Sequence, residues 1–259
     1  MDDLSLRTVT VMRYILPLRE GGSLPALAEA DDDFKYVLKF RGAGHGVKML
    51  ISELLGGMIA HRLGLQIPEL VFANLDVDFG RTEADEEIQD LLKFSEGLNL
   101  GLHFLSGAIA YDSSVKVDPL LASKIVWLDA FITNIDRTFK NTNLLMWHKE
   151  LWIIDNGASF YFHHSWQNFD AAAKTPFKYI KDHVLLAQAT ELNEADRFAK
   201  EVLTDEFFRK LVNLLPEDWL HWNDADESPN EIREIYYQFL TTRLQNSAIF
   251  IKEAQDARG

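Results

Sequence analysis

The chain lacks cysteine and long apolar segments, and it has no excess of positive charge. Without Cys among its 259 residues, it has neither a disulfide framework nor a thiol-based site. No apolar run approaches the roughly 20 residues that a transmembrane helix needs. The N-terminus, Met1-Asp2-Asp3, also lacks the basic segment and apolar core of a signal peptide. We therefore expect a cytoplasmic protein.

Basic residues are outnumbered by acidic ones, 26 Lys and Arg against 40 Asp and Glu, which gives a net charge of −14. The acidic residues cluster at 31–33, 83–90 and 224–227. This charge disfavours general attraction to nucleic acid or to an anionic membrane, so we expect neither as a partner. The chain also lacks internal repeats and low-complexity tracts, and nothing in it indicates an oligomeric state.

What the chain does contain is enough apolar material for a packed core, with 47% hydrophobic residues, 17 Phe and 6 Trp. Strand-like runs, one strong helix and glycine turns fill the first part, and mostly helical patterns follow. We predict an α+β protein with a mixed N-terminal lobe, 1–106, and a helical C-terminal lobe, 107–259. The crossover near 104–107 is the expected hinge.

Two helix starts in the second lobe are marked by capping residues. Asp118 followed by Pro119 predicts the start of a buried helix that anchors the segment after it. Ser228 and Glu231 have the spacing of a capping box, with a proline between them at the first helical position. The aromatic residues that follow at helical spacing are expected in the core.

The segment 131–157 carries most of the chemical information. Asp136 and Asn141 have the Asp-x-x-x-x-Asn spacing of a kinase catalytic loop. Apolar runs at 144–147 and 151–154 flank the polar turn 148–150 and predict a β-hairpin that ends at Asp155. Asp136 is then the candidate to orient or deprotonate a hydroxyl, and Asn141 and Asp155 are the candidate magnesium ligands. The alternative is that these polar residues only serve turns, where Asp and Asn are common.

A candidate phosphate-binding pair lies upstream. Lys39 sits in a strand-like apolar run, where an ammonium needs an anionic partner. Glu53 lies at the edge of a helical apolar stripe, and a strand lysine paired with a helix glutamate is how kinases hold the α- and β-phosphates of ATP. The alternative is a surface lysine and a solvated glutamate.

Glycine-rich turns flank the lysine strand. Gly21, Gly22 and Ser23 follow a β-like run and are candidates for a loop that covers phosphates with backbone N–H groups. The stretch 41–46 opens the helix and is a second candidate anion site. Both stretches also suit ordinary turns, and no Walker-type phosphate loop is present.

Several short blocks together resemble those of bacterial HipA-like kinases. They run in this order: PLREGGSLP at 17–25, YVLKFRG at 36–42, GLQIPE at 64–69, GLNLG at 97–101, NIDRT at 134–138, ID at 154–155 and KDH at 181–183.

The resemblance implies a two-lobed, protein-kinase-like fold that uses ATP and Mg²⁺. It places Lys39 on the ATP phosphates, Asp136 with Arg137 in the catalytic set, and Asn141 and Asp155 on the metal. In a kinase-like fold the segment containing Phe104 and Leu105 contacts adenine. Thr138 stands where better-characterised relatives have histidine, and the chain is shorter than a HipA toxin, so only the kinase chemistry is carried over.

Adjacent histidines, His163 and His164, raise the alternative of a metal site. On a strand their side chains point to opposite faces, which disfavours a shared zinc ion. Their position after Asp155 resembles an activation segment that shapes the acceptor site.

Three functions fit the sequence. An active ATP-dependent kinase acting on a protein Ser/Thr or on a small hydroxylated acceptor is favoured, because its chemical groups occur in the expected order. The second is a nucleotide-binding pseudokinase or regulatory module without phosphate transfer. The third is a structural interaction protein, in which the placement of these residues is coincidental.

Overall fold

The fold was analysed in a computed structural model, which describes residues 4–18, 24–44, 46–77, 79, 85–164, 166–222 and 226–259. The chain divides into two compact units: unit 1 contains Met1–Leu54 and Pro68–Ser106, and unit 2 contains Leu55–Ile67 and Gly107–Gly259. The expected first lobe, 1–106, therefore differs from unit 1, because residues 55–67 group with unit 2.

Helix α1, Gly46–Arg62, begins in unit 1 and ends in unit 2. Its last residue, Arg62, donates from Nε to the carbonyl of Val202 at 2.9 Å. Shortly after the helix, the carbonyl of Gln66 accepts a hydrogen bond from the backbone N–H of Ile153 at 2.9 Å. These bonds to distant parts of the chain explain why 55–67 belongs to unit 2.

Unit 1 is built on a closed β-barrel with strand order β1-β2-β3-β5-β4. Strands β1 and β4 are parallel, and the other pairs are antiparallel. Helix α2 lies in the connection between β4 and β5. The elements are β1 Thr8–Pro17, β2 Ala26–Ala30, β3 Lys35–Lys39, β4 Leu70–Leu75, α2 Glu86–Phe94 and β5 Gly97–His103.

The barrel interior combines small residues on one strand with large residues on the next. Ala26 and Ala28 of β2 are paired with Leu38 and Tyr36 of β3, and all four are buried. The alanines leave room for the larger neighbours inside the barrel. Leu92 of α2 contacts the same core.

Unit 2 combines helices with a small antiparallel sheet of order β6-β7-β8. No helix in the described part of the chain is long and apolar enough to cross a membrane. The elements are β6 Ile109–Ala110, α3 Pro119–Ile132, β7 Leu144–Trp147, β8 Glu150–Ile153, α4 Phe169–Ala173, α5 Leu192–Val202, α6 Asp205–Asn213, α7 Pro229–Gln245 and α8 Ser247–Arg258. Short 3-10 helices lie at Tyr161–His164, Trp166–Asn168, Lys178–Asp182, Leu186–Gln188 and Glu217–Trp219. The mixed α+β class predicted from the sequence is confirmed.

Helix α3 is the central helix of unit 2. As predicted, Asp118 caps it, accepting from the backbone N–H of Leu121 at 2.9 Å, and Pro119 is the first helical residue. Most of its side chains are buried, including the charged Asp129. Trp127 and Phe131 stack with ring centroids 4.9 Å apart inside this core. A helix buried on nearly every side provides a rigid support for the loop that follows it.

Helix α7 starts with the predicted capping box between Ser228 and Glu231. Its aromatic residues, Tyr236 and Phe239, are buried as expected. Arg243 near its end is also buried, and its guanidinium donates to backbone carbonyls at the end of α3 and beyond α4. Burial lowers the pKa of Arg243 to about 9, so the side chain remains charged at neutral pH.

Strands β7 and β8 pair antiparallel, with Leu144 opposite Ile153 and Trp147 opposite Glu150. The turn between them is two residues long, not three, because Glu150 belongs to β8. His148 and Lys149 both have positive φ, 49° and 69°, as a two-residue turn of type I′ requires.

Candidate active site

In unit 1, Lys39 ends strand β3 and pairs with Leu100 of β5. Its Nζ lies 3.8 Å from Oε2 of Glu53 in α1, and both side chains are buried. The predicted ion pair is therefore present. Since a buried ammonium without a counter-ion would be costly, Glu53 supplies the counter-ion that Lys39 needs.

The loop after β3 is held by Asn99, a residue of β5 for which sequence reasoning found no role. The Asn99 amide donates to the carbonyls of Ser95 and Gly97, at 2.7 and 2.9 Å, and its oxygen accepts from the N–H of Arg41 at 2.9 Å. Gly42 has no room for a side chain, since a Cβ there would lie 2.7 Å from the backbone of Phe94. The glycine-rich stretch at 41–44 is thus fixed against α2 and β5.

Other predicted nucleotide contacts belong to the same unit. Leu105 is buried and Phe104 is partly buried, and Phe104 donates its N–H to the carbonyl of Lys35 at 2.8 Å. Gly21, Gly22 and Ser23 lie outside the described residues.

In unit 2, Asp136 lies on the loop that follows α3 and is partly buried. Its Oδ2 accepts from the amide of Asn141 at 2.8 Å and from the amide of Asn143 at 3.2 Å. The Asn143 amide also donates to the backbone carbonyl of Asp136 at 3.0 Å. Asp136 and Asn141 are therefore in direct contact. Asn143, which sequence reasoning did not select, holds the same carboxylate. In the sequence, only its position two residues after Asn141 could have indicated this role.

The loop is joined to the end of the β-hairpin by backbone contacts. The N–H of Ile154 donates to the carbonyl of Asn143 at 3.1 Å, directly before Asp155. Asn143 and Asp155 both adopt the left-handed conformation, with φ of 47° and 56°, which is uncommon for residues other than glycine. Asp155 Oδ1 accepts from the N–H of Gly157 at 3.3 Å.

Arg137 connects these segments from the inside. Its Nη1 donates to the carbonyls of Asn143 and Ile154, at 2.6 and 3.0 Å. Its Nη2 donates to Oδ1 of Asn156 at 3.0 Å, and its Nε donates to Oδ2 of Asp129 at 2.6 Å. With a further bond from Nη2 to Oδ1 of Asp129 at 3.3 Å, all N–H groups of this buried guanidinium have an acceptor.

Asp129, in the last turn of α3, receives Arg137 and two other side chains. His183 Nε2 lies 2.8 Å from its Oδ2, and the Asn134 amide donates to its Oδ1 at 3.0 Å. Burial by itself would raise the pKa of Asp129, but the charge of Arg137 and the hydrogen bonds from His183 and Arg137 outweigh it and lower the pKa. Asp129 is thus an ionised anchor for the loop that contains Asp136.

The hydrogen bonds of His183 define its tautomer. Its Nδ1 accepts from the backbone N–H of Leu185 at 3.0 Å, so the ring hydrogen is on Nε2 and points to Asp129. His183 lies in the last block of the family resemblance, but its partner was not predictable from the sequence. Thr138, at the family's histidine position, forms an isolated β-bridge with His183.

The donor groups of the second unit fit a hard cation such as Mg²⁺. Because the amide nitrogen of Asn141 donates to Asp136, its Oδ1 is the atom that can ligate a metal. Asp155 supplies a carboxylate. No group of three or more His, Cys, Asp or Glu that could hold a metal exists among the described residues. A small set of protein ligands completed by water and phosphate oxygens is typical of Mg²⁺.

The paired histidines lie on the 3-10 helix Tyr161–His164 rather than on a strand. His163 is buried, with Nδ1 3.0 Å from the hydroxyl of Tyr236, and it therefore packs in the core.

Comparison with known proteins identifies the family. No curated protein matches the chain. Among solved structures, the proinflammatory kinase CtkA of Helicobacter pylori is similar, with a TM-score of 0.57 and 14% sequence identity. That match covers 98% of this chain and 99% of CtkA, and at this identity it shows a shared fold. The sequence profile of the HipA-like kinases matches residues 11–248. The chain therefore belongs to the HipA-like kinase family.

Proposed function

We propose that the protein is an ATP-dependent kinase that transfers the γ-phosphate to a hydroxyl group, either on a Ser or Thr of a protein or on a small hydroxylated acceptor. The observation that carries this proposal is the Asp136 carboxylate, held by Asn141 and Asn143 on a loop anchored to α3. In a member of a kinase family, that arrangement suits a group that acts on an acceptor hydroxyl.

Asp136 is assigned the role of orienting the hydroxyl and accepting its proton. Both amide hydrogen bonds go to Oδ2, which leaves Oδ1 as the oxygen that faces the acceptor. As the acceptor oxygen bonds to the γ-phosphorus, the bond from that phosphorus to the ADP oxygen breaks and ADP leaves with its electron pair. The proton of the hydroxyl passes to Asp136.

Arg137 is assigned a positioning role in this reaction. Its N–H groups are used by Asp129, Asn143, Ile154 and Asn156, so it fixes the loop and the end of the hairpin instead of reaching the substrate. The sequence placed Arg137 in the catalytic set. We now assign it to holding the catalytic residues in position, without contact to the substrate.

The roles in nucleotide binding are assigned residue by residue, as the family resemblance implies them. Lys39, supported by Glu53, binds ATP phosphates, and Gly21, Gly22 and Ser23 cover them. The segment with Phe104 and Leu105 binds adenine. Asn141 and Asp155 hold Mg²⁺, which neutralises the phosphate charge when bound. Glu53 supplies the counter-ion of Lys39, and the contact with Asp136 keeps the Asn141 amide oriented.

The proposal predicts separate effects for two aspartates. Asp136→Ala should abolish phosphate transfer while preserving binding of Mg²⁺ and ATP. Asp155→Ala should remove the magnesium-dependent part of ATP binding. At ATP concentrations about 100-fold above the dissociation constant, binding adds about 2.7 kcal/mol to stability, so the melting temperature should rise by about 5–10 °C.

The measurements are a thermal-shift titration with ATP, with and without Mg²⁺, and transfer of labelled phosphate from ATP to a protein or peptide mixture. Asp170→Ala is the matched control. Asp170 is an exposed carboxylate of α4, and among the described residues it pairs only with Lys174, which directly follows the helix. Transfer that persists in Asp136→Ala would overturn its assigned role. Nucleotide binding by the wild type without transfer to the protein or peptide mixture, or to a set of small hydroxylated compounds, would identify a pseudokinase.

A further inference from the structure

An exposed basic surface lies on the 3-10 helix Lys178–Asp182. Phe177 and Ile180 point into the core, whereas Lys178 and Lys181 are exposed. In a 3-10 helix, side chains three residues apart lie above one another, so the two lysines share one face.

This helix is directly joined to the catalytic loop within unit 2. Thr138 of the loop forms an antiparallel bridge with His183, the residue that follows the helix. The N–H of Val184 also donates to the carbonyl of Arg137 at 3.1 Å. Lys140, exposed and two residues after Thr138, therefore belongs to the same region as the helix lysines. We call Lys140, Lys178 and Lys181 the lysine surface.

The lysine surface has a different charge environment from four other lysines of unit 2. Within the described parts of the chain, its members form no hydrogen bond or ion pair, although the protein as a whole is strongly acidic. Four other lysines on or beside helices of the unit have carboxylate partners four residues away: Lys174 with Asp170, Lys200 with Asp196, Lys210 with Glu206 and Lys252 with Asp256. The same helix also carries one exposed carboxylate, Asp182, which the three lysines outnumber, so the local charge beside the catalytic loop is net positive.

Aromatic side chains accompany these lysines. Phe139 precedes Lys140 and is 64% exposed, and Tyr179 follows Lys178 and is also 64% exposed. Exposed aromatic residues beside unpaired charges are typical of a surface that contacts a partner.

We propose that the lysine surface binds an acidic polypeptide segment and so selects protein acceptors with Asp or Glu near the phosphorylated residue. This inference rests on the proposed kinase function, because it names the substrate class of that reaction. A short segment with a few carboxylates can complement the local charge. A nucleic acid, whose charge extends far beyond the surface, would be repelled by the net charge of −14.

The test uses three synthetic peptides of equal length, each with one serine flanked by Asp and Glu, by Asn and Gln, or by Lys. Transfer from labelled ATP should be about tenfold more efficient, in kcat/KM, for the acidic peptide than for the neutral one. The double variant Lys178→Glu, Lys181→Glu should lose this preference and favour the Lys-flanked peptide. That reversal cannot result from a general loss of folding.

Lys116→Glu is the matched control. Lys116 is also exposed and unpaired within the described chain, but it precedes α3 at the end opposite to the catalytic loop, about 20 Å away for a helix of this length. This variant changes the net charge by the same amount per residue and should keep the acidic preference within about twofold.

A binding measurement separates this inference from the proposed function. A fluorescent acidic peptide with Ala in place of Ser should bind the wild type, and should bind the double variant at least about tenfold more weakly. If this binding is seen but no peptide is phosphorylated, the selection of acceptors by this surface is overturned, whereas the ATP titration and the labelled-phosphate assay above decide the kinase proposal on their own. If transfer occurs without acidic preference and the peptide does not bind, the surface assignment is wrong. Preferential binding of a single-stranded oligonucleotide through these lysines would also overturn it.

Discussion

Replacing Asp129 by Asn tests whether the buried anchor of the catalytic loop stabilises the protein. The substitution keeps the shape of the side chain and removes its charge. Oδ2 accepts from Arg137 and His183, and Oδ1 accepts from Arg137 and Asn134. In either orientation, the new amide NH₂ group would therefore face two hydrogen-bond donors.

The expected loss is large because Arg137 would remain buried without its counter-ion. Removing one partner of a buried ion pair typically costs about 3–5 kcal/mol. For a chain of this size, that loss lowers the melting temperature by about 6–20 °C. Asp170→Asn breaks the exposed pair with Lys174 and is the control, with an expected loss below about 0.5 kcal/mol.

The pH dependence of this effect has a defined sign. Because the pKa of Asp129 is lowered from 3.8 in the folded protein, its contribution is complete above about pH 4 and is lost as the pH falls through the folded-state value. The melting-temperature difference between wild type and Asp129→Asn should therefore stay constant from pH 7 to about pH 5 and narrow below about pH 4.

Thermal unfolding followed by tryptophan fluorescence measures these differences, since Trp127 lies in the same helix as Asp129. If Asp129→Asn unfolds within about 2 °C of the Asp170→Asn control, the ionised anchor does not stabilise the protein and the reasoning is refuted.

Two further changes are expected to lower the melting temperature. Gly56→Ala should cost about 1–3 kcal/mol, because the new Cβ would lie 2.7 Å from the Cβ of Asn156, whereas Gly44→Ala, with nothing within 4 Å, should be nearly neutral. Equal melting temperatures for Gly56→Ala and Gly44→Ala would contradict the close approach of Gly56 to Asn156. Ser228→Ala removes the cap of α7 and should cost about 1 kcal/mol, and restoring a cap with Ser228→Asp should recover most of it.

Local signals in the sequence were sufficient for features that depend on neighbouring residues. The helix starts at Asp118 and Ser228 follow from capping chemistry, which acts over three residues. The ion pair between Lys39 and Glu53 was predictable because a charge in an apolar strand requires a partner, and the next helix offers one. The contact between Asp136 and Asn141 likewise lies within one loop.

The division of α1 between two units was not predictable in this way. The apolar stripe of α1 indicates a helix, but it does not indicate which distant residues each part of the helix contacts. Arg62 reaches Val202, 140 residues later in the chain, and no pattern near either residue indicates that contact. The expected first lobe therefore differs from unit 1 at 55–67, where tertiary contacts decide the grouping.

The anchor of the catalytic loop is the clearest case of chemistry that depends on distant residues. Asp129 reads in the sequence as one of three polar residues in a mostly apolar helix, and His183 lies 54 residues away. Only the fold shows that His183 and Arg137 both contact Asp129, and that this contact holds the loop on which Asp136, the neighbour of Arg137, is assigned the chemistry. A buried aspartate is costly unless its partners are in place, so this cluster forms only when α3, the loop and the segment after Lys178–Asp182 are assembled together. The same assembly brings the lysine surface to the loop. We therefore expect acceptor selection and loop geometry to be lost together when the anchor is removed.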